Sequence, residues 1–146
     1  IYVEYLSVLS VKNKIPVFRQ YGNLSQKTVG WMIDYNLISE GERNFNLKEY
    51  FSTVEGLARL ENNKIDYLID ESHQIERALI KQNMNIDDFN SGKFPIGRHR
   101  FIAFSNNKIS KSLVDIYNKR TRELAQSGEL KKIYDKWRLD GMPNDI

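Results

Sequence analysis

Three features of the sequence predict an α/β fold with a largely parallel sheet. Apolar runs of strand length, chiefly residues 28–33 and 65–69, alternate with segments of helical period. A Ser52-x-x-Glu55 signature marks a helix start directly before Val54, Leu57, Ala58 and Leu60. The stretch Leu124-Ala-Gln-Ser-Gly-Glu-Leu-Lys-Lys-Ile-Tyr-Asp-Lys-Trp137 reads as one helix, a Ser-Gly turn and a second amphipathic helix.

The elements follow in order. Residues 1–9 alternate apolar and polar only roughly, as extended structure or a connector would. Residues 15–19 (Ile-Pro-Val-Phe-Arg) are a short strand candidate that Pro16 confines to a strand start or a sheet edge. Residues 21–27 form a polar loop, and 28–33 a buried strand. Asp34 then stands where the N-cap of a helix over 35–39 would fall. Residues 44–50 supply another strand, the Ser52 capping box opens a helix, and Asn62-Asn63 ends it. Residues 65–69 are a second buried strand, and Asp70-Glu71-Ser72 opens a helix whose apolar face is Ile75, Leu79 and Ile80. Residues 87–95 are loop, and 101–104 a strand. Ser110 caps a helix with Leu113, Val114, Ile116, Tyr117 and Leu124 inward; Gly128 breaks it, and Leu130, Ile133, Tyr134 and Trp137 line the last helix.

Composition narrows the function classes. The 146 residues include 22 basic and 19 acidic side chains, a formal charge of +3 without any basic block interleaved with aromatics, which argues against nucleic acid as a partner. There is no cysteine, so neither a disulfide nor a Cys metal site can form. His73 and His99 are the only histidines and lack neighbours at metal-ligand spacing, so no cofactor or metal is expected. No Gly-x-Ser-x-Gly elbow, P-loop, His-Glu-x-x-His or cysteine nucleophile occurs, and an enzyme is the least supported class. No apolar run approaches 18 residues. The first residue is Ile, with neither an initiating Met nor a signal peptide, so the sequence is expected to lack its natural start.

The run Ser52-x-x-Glu55-Gly-Leu-x-x-Leu60-Glu-Asn-Asn-Lys-Ile-Asp-Tyr-Leu-Ile-Asp70, then Ile102-Ala-Phe-Ser105 and the 124–137 ending, resembles bacterial extracellular solute-binding protein family 3 over residues 15–139. The family includes periplasmic amino-acid-binding proteins of the type 2 periplasmic binding-protein fold. The resemblance covers the C-terminal portion of such proteins only. It implies a periplasmic-binding-protein-like lobe with a central, mostly parallel sheet, and two C-terminal helices belonging to an incomplete first lobe. Residues 1–19 would be a remnant of that first lobe and a hinge strand, 20–100 the second lobe, and 101–146 the return strand and C-terminal helices.

In that family a small solute binds between the lobes. The turn after the second lobe's first strand holds a ligand carboxylate, and here it reads Ile33-Asp34-Tyr35-Asn36, with Asp where donors to an anion are expected. Asp34 and Tyr35 are therefore ligand candidates, with helix capping and surface packing as their plainer roles. The family also places an acid at the end of a later strand to pair with a ligand ammonium. Asp70 and Glu71 occupy that place, or else open a helix, where acids are favoured anyway. Arg98 and Arg100 flank the second hinge.

The resemblance implies an extracytoplasmic protein binding a small polar, amino-acid-like ligand for ABC-type transport or membrane signalling, with a membrane transporter or sensor as partner. The alternative is a sensory or interaction module that kept the fold and lost its ligand. Leu113, Ile116, Leu130, Ile133 and Trp137 would lose their platform without a first lobe. At half burial the five represent roughly 4–7 kcal/mol, against about 5–15 kcal/mol for a whole domain. A homodimer, a swapped dimer, refolded N-terminal residues or a first-lobe fragment is expected to cover them.

Overall fold

The computed structural model describes residues 2–96, 98–137, 139 and 142. The strands are β1 (Tyr2–Glu4), β2 (Leu6–Val11), β3 (Thr28–Met32), β4 (Asn46–Tyr50), β5 (Tyr67–Glu71), β6 (Phe89–Lys93) and β7 (Arg98–Arg100). The helices are α1 (Thr53–Glu61), α2 (Ser72–Lys81), α3 (Lys108–Gln126) and α4 (Glu129–Trp137). The chain divides into two compact units, one of Tyr5–Gly97 and one of Ile1–Glu4 with Arg98–Ile146.

The Tyr5–Gly97 unit is built on a five-stranded mixed sheet of order β4-β3-β5-β2-β6. Strands β4, β3 and β5 are mutually parallel, in register Thr28↔Asn46 and Val29↔Tyr67. Strand β2 is antiparallel to both β5 and β6. Four strands thus share one direction and only β2 opposes them. Of residues 1–9, expected as extended structure or a connector, 6–9 belong to this interior strand and 2–4 to β1.

Alternation along the strands sends side chains to two separate cores. Leu9, Tyr50 and Leu68 pack on one face with Leu57 and Leu60 of α1 and Ile75 and Leu79 of α2. Leu6, Val8, Trp31, Tyr67 and Ile69 pack on the other with Phe18, Leu24 and Phe94, under the loop that joins β3 to β4. With both faces covered, β3 and β5 read as nearly continuous apolar runs.

The capping box forms, with one shift. Ser52 Oγ accepts from Glu55 N–H at 3.3 Å, but the Glu55 carboxylate accepts from Phe51 N–H at 3.0 Å, one residue earlier than the usual reciprocal bond. Backbone bonding from Phe51 and the Arg59 guanidinium, 2.6 Å away, hold the Glu55 carboxyl below its ordinary pKa.

Other expectations are corrected. Residues 16–19 form no strand. Pro16 offers no N–H, and the Ile15 and Pro16 carbonyls accept from the Asn90 amide at 3.1 Å and the Tyr67 hydroxyl at 3.0 Å. No helix follows β3: Asp34 and Asn36 have positive φ, 66° and 46°, which no helix accommodates. Strand β5 runs two residues further than the apolar run suggests, so Asp70 and Glu71 close a strand, and α2 starts at Ser72. Residues 101–104 are not a strand; Arg98–Arg100 pairs with β1 instead. The cap of α3 is Asn107, whose Oδ1 accepts from Ser110 N–H at 2.9 Å.

In the second unit, Arg100 donates through Nε and Nη2 to one Glu4 carboxylate oxygen, at 3.1 and 2.7 Å. Gly128, at φ 76°, separates α3 from α4. Tyr134 is buried, and Val114, Tyr117 and Leu124 are half-buried. Leu113 and Ile116, expected inward, are 45% and 64% exposed, and Trp137 is 67% exposed.

Candidate functional site

Because β4, β3 and β5 are parallel and adjacent, their carboxyl ends meet at one sheet edge, where open α/β sheets gather functional groups. After β3 come Ile33, Asp34 and Tyr35; after β4 come Phe51 and the start of α1; β5 ends on Asp70 and Glu71 at the start of α2. Strand β2 enters at the same edge, since Leu6 lies opposite Glu71 and Ser7 opposite Asp70. Ser7 Oγ is 2.7 Å from Ser72 Oγ, and Lys93, opposite Ser7 at the end of β6, places its ammonium 3.7 Å from the Tyr5 ring centre.

Asp70 is fully buried. Its Oδ1 accepts from the Tyr35 hydroxyl and from Glu71 N–H, both at 2.7 Å. Its Oδ2 lies 3.3 Å from the Tyr50 hydroxyl, which also donates to the Ile69 carbonyl at 2.9 Å. A buried carboxylate needs such donors to offset its desolvation. Burial first, then the Asp70 carboxylate and neighbouring Tyr35, push the Tyr50 phenol far above its ordinary pKa.

The four predicted residues fall at this one edge with different surroundings. Asp34 is exposed on a left-handed turn and caps no helix. Tyr35 is half-buried, its hydroxyl engaged by Asp70. Glu71 is half-buried and points to the face of Tyr67 and Ile69, opposite to Asp70. Residues the sequence reading missed are Tyr50, which completes the carboxylate's donor set, and Phe51, 78% exposed beside the α1 cap. A large apolar residue just before a capping box was the available signal for Phe51. Tyr50 had none, because its partner lies twenty residues away on another strand.

Arg100 is engaged by Glu4, while the side chains of Arg98 and His99 lie outside the described residues. His73 Nδ1 faces Glu76 at 3.8 Å. Among the described residues no cluster of acids and histidines is placed to hold a metal. Trp31 is a core residue, flanked by Phe45 at 5.7 Å between ring centres and by Arg43 over its ring at 5.2 Å. A cavity of about 380 Å³ opens on the same face among Tyr21, Leu24, Leu37, Ile38 and Phe45, and its wall includes none of the four candidates.

No family model matches the chain, and no curated protein sequence does. Solved structures do match. The substrate-binding protein of an amino acid ABC transporter aligns at 26% identity and TM-score 0.53, over 94% of this chain and 61% of that one. An arginine transport-system periplasmic binding protein from Legionella pneumophila aligns at 17% identity and TM-score 0.60, over 92% and 62%. A chain from work on glutathione import in Gram-positive bacteria, via GshT and the cystine ABC importer TcyBC of Streptococcus mutans, aligns at 16% and 0.64, over 98% and 66%. The fold is that of a periplasmic-binding-protein lobe. The chain spans less than two thirds of the length of these three neighbours. The first two are described as binding proteins of transport systems. Within the lobe, Asp70 sits at the common end of the three parallel strands.

Proposed function

We propose that this chain is part of an extracytoplasmic solute-binding protein that closes on a small polar, amino-acid-like ligand, for ABC-type transport or membrane signalling. The observation that carries the reading is the carboxyl edge of β4-β3-β5. On a periplasmic-binding-protein lobe it gathers the acids Asp34 and Glu71, the aromatic Tyr35, the exposed Phe51 and the first turns of α1 and α2. Glu71 pairs with a ligand cation, the Tyr35 and Phe51 rings flank the ligand's apolar part, and Asp34 disfavours a carboxylate at the turn after β3. In this reading residues 5–97, with β2 inside their sheet, are the second lobe, and 98–146 a return segment with first-lobe helices. The remainder of the first lobe, supplied by the complete protein, covers the apolar face of Ile109, Leu113, Ile116 and Trp137. In the 146-residue chain alone, a second copy covers it.

A thermal-shift screen of the complete protein with amino acids, polyamines and organic acids tests this. A ligand at about a hundred times its Kd stabilises by roughly 2.7 kcal/mol, or about 5–10 °C in Tm. Glu71→Gln is expected to reduce that shift. If no class gives a shift, the protein is instead a sensory or interaction module that kept the fold without the ligand.

A further inference from the structure

We infer that Asp70 is a positioning residue: one buried carboxylate ties together the ends of all three parallel strands and holds Tyr35 across the sheet edge. Asp70 accepts from the turn after β3 through Tyr35 and from the end of its own strand through Glu71 N–H, and at 3.3 Å it shares with the Ile69 carbonyl the one proton of Tyr50, the last residue of β4. Backbone pairing continues one residue past β3, where Ile33 N–H donates to the Tyr50 carbonyl at 2.9 Å, and the Asp70 side chain takes over beyond it.

Tyr35 is the residue most affected. Its ring packs with the core that contains Trp31 and Ile69, yet its hydroxyl bonds an acid that alternation places on the other face, with Leu68. The side chain therefore reaches across the end of β5. The backbone beneath it is a turn with two residues at positive φ, Asp34 and Asn36, both of a type that tolerates that region. Tyr35 N–H donates to the Met32 carbonyl at 3.1 Å, and the Asp70 bond is its side-chain counterpart. Asp70 thus fixes which part of Tyr35 a ligand meets: the ring, with the hydroxyl already committed. It also fixes the Glu71 backbone. This bearing on ligand recognition rests on the solute-binding reading above; the tether itself does not.

The geometry makes a chemical prediction about substitutions. Asparagine retains a carbonyl oxygen that accepts from Tyr35 and Glu71 N–H. Its amide N–H₂ then faces the Tyr50 oxygen, which still donates to the Ile69 carbonyl. Alanine retains none of this. The test is hydrogen exchange by mass spectrometry on the complete protein without ligand, comparing Asp70→Ala, Asp70→Asn and Tyr35→Phe with the wild type. Asp70→Ala and Tyr35→Phe are expected to speed exchange of the 33–36 amides about ten-fold or more while leaving the middle of α1 unchanged. Asp70→Asn is expected to restore protection. Unchanged exchange at 33–36 in Tyr35→Phe, or an Asp70→Asn protein as loose as Asp70→Ala, overturns the inference. Tyr35→Phe removes one hydroxyl from a half-buried residue, so it still decides the matter if Asp70→Ala does not fold. A failed ligand screen leaves these exchange results untouched, so the two claims fail separately.

Discussion

Asp70 and Glu71 are neighbours with opposite surroundings, and the difference is one of strand alternation. Asp70 turns into the sheet end and accepts from Tyr35 and Glu71 N–H, while Glu71 turns to the other face and keeps partial access to solvent. Tyr50→Phe removes a hydroxyl near both Asp70 and the Ile69 carbonyl, and is expected to cost about 1–3 kcal/mol in urea unfolding. The same phenol sets an alkaline limit. Its folded pKa lies above the unfolded value of about 10, so above that pH the unfolded chain releases a proton that the folded chain keeps. Stability contributed by the neutral phenol is therefore full below about pH 10 and falls above it, by up to about 1.4 kcal/mol per pH unit. Tyr50→Phe should flatten that fall in pH-dependent unfolding; an equally steep fall would assign it to other tyrosines. The sequence reading named both acids as candidates at the end of one strand and left open which one was accessible. That depends on where β5 stops, and the apolar run ends two residues before the strand does.

At the scale of elements, strands and helices with internal signals were legible and those defined by long-range partners were not. The run at 28–33 and the Ser52 capping box each carry their own evidence, and both formed. Strand β2 has only a weak alternation; its place inside the sheet comes from pairing with β5 and β6, more than 50 residues away in the chain. The segment 15–19 looked like a strand because of its apolar residues, but the Ile15 and Pro16 carbonyls are taken by side chains. Two glycines record close approaches that no local pattern shows. A Cβ on Gly92 would lie 2.3 Å from the Phe18 carbonyl oxygen, so Gly92→Ala must displace either β6 or the 15–19 segment. A Cβ on Gly56 would lie 2.7 Å from a Leu68 methyl and 3.0 Å from the Tyr50 ring. Each substitution is expected to cost about 1–3 kcal/mol by overpacking. Gly92→Ala should show the larger loss in chemical denaturation, because backbone yields less readily than a methyl group.

At the scale of the whole molecule, the lobe and the helical unit differ in how well their apolar surface is covered. The lobe has two closed cores. The helical unit leaves Ile109, Leu113 and Ile116 exposed along one side of α3, with Ile133 and Trp137 exposed on α4. Such a surface favours association. The 146-residue chain is expected to sediment as more than a monomer at tens of micromolar, and Ile109→Ser with Ile116→Ser to shift it toward monomer. The central claim is that a small polar ligand binds at the carboxyl edge of the parallel strands. Hydrogen exchange of the complete protein, with and without millimolar amino acids, polyamines and organic acids, tests it most directly. One of these classes is expected to protect residues 33–36, 51–53 and 71–73 together; protection confined to the Tyr21–Phe45 cavity, or none with any class, would overturn ligand binding at this edge.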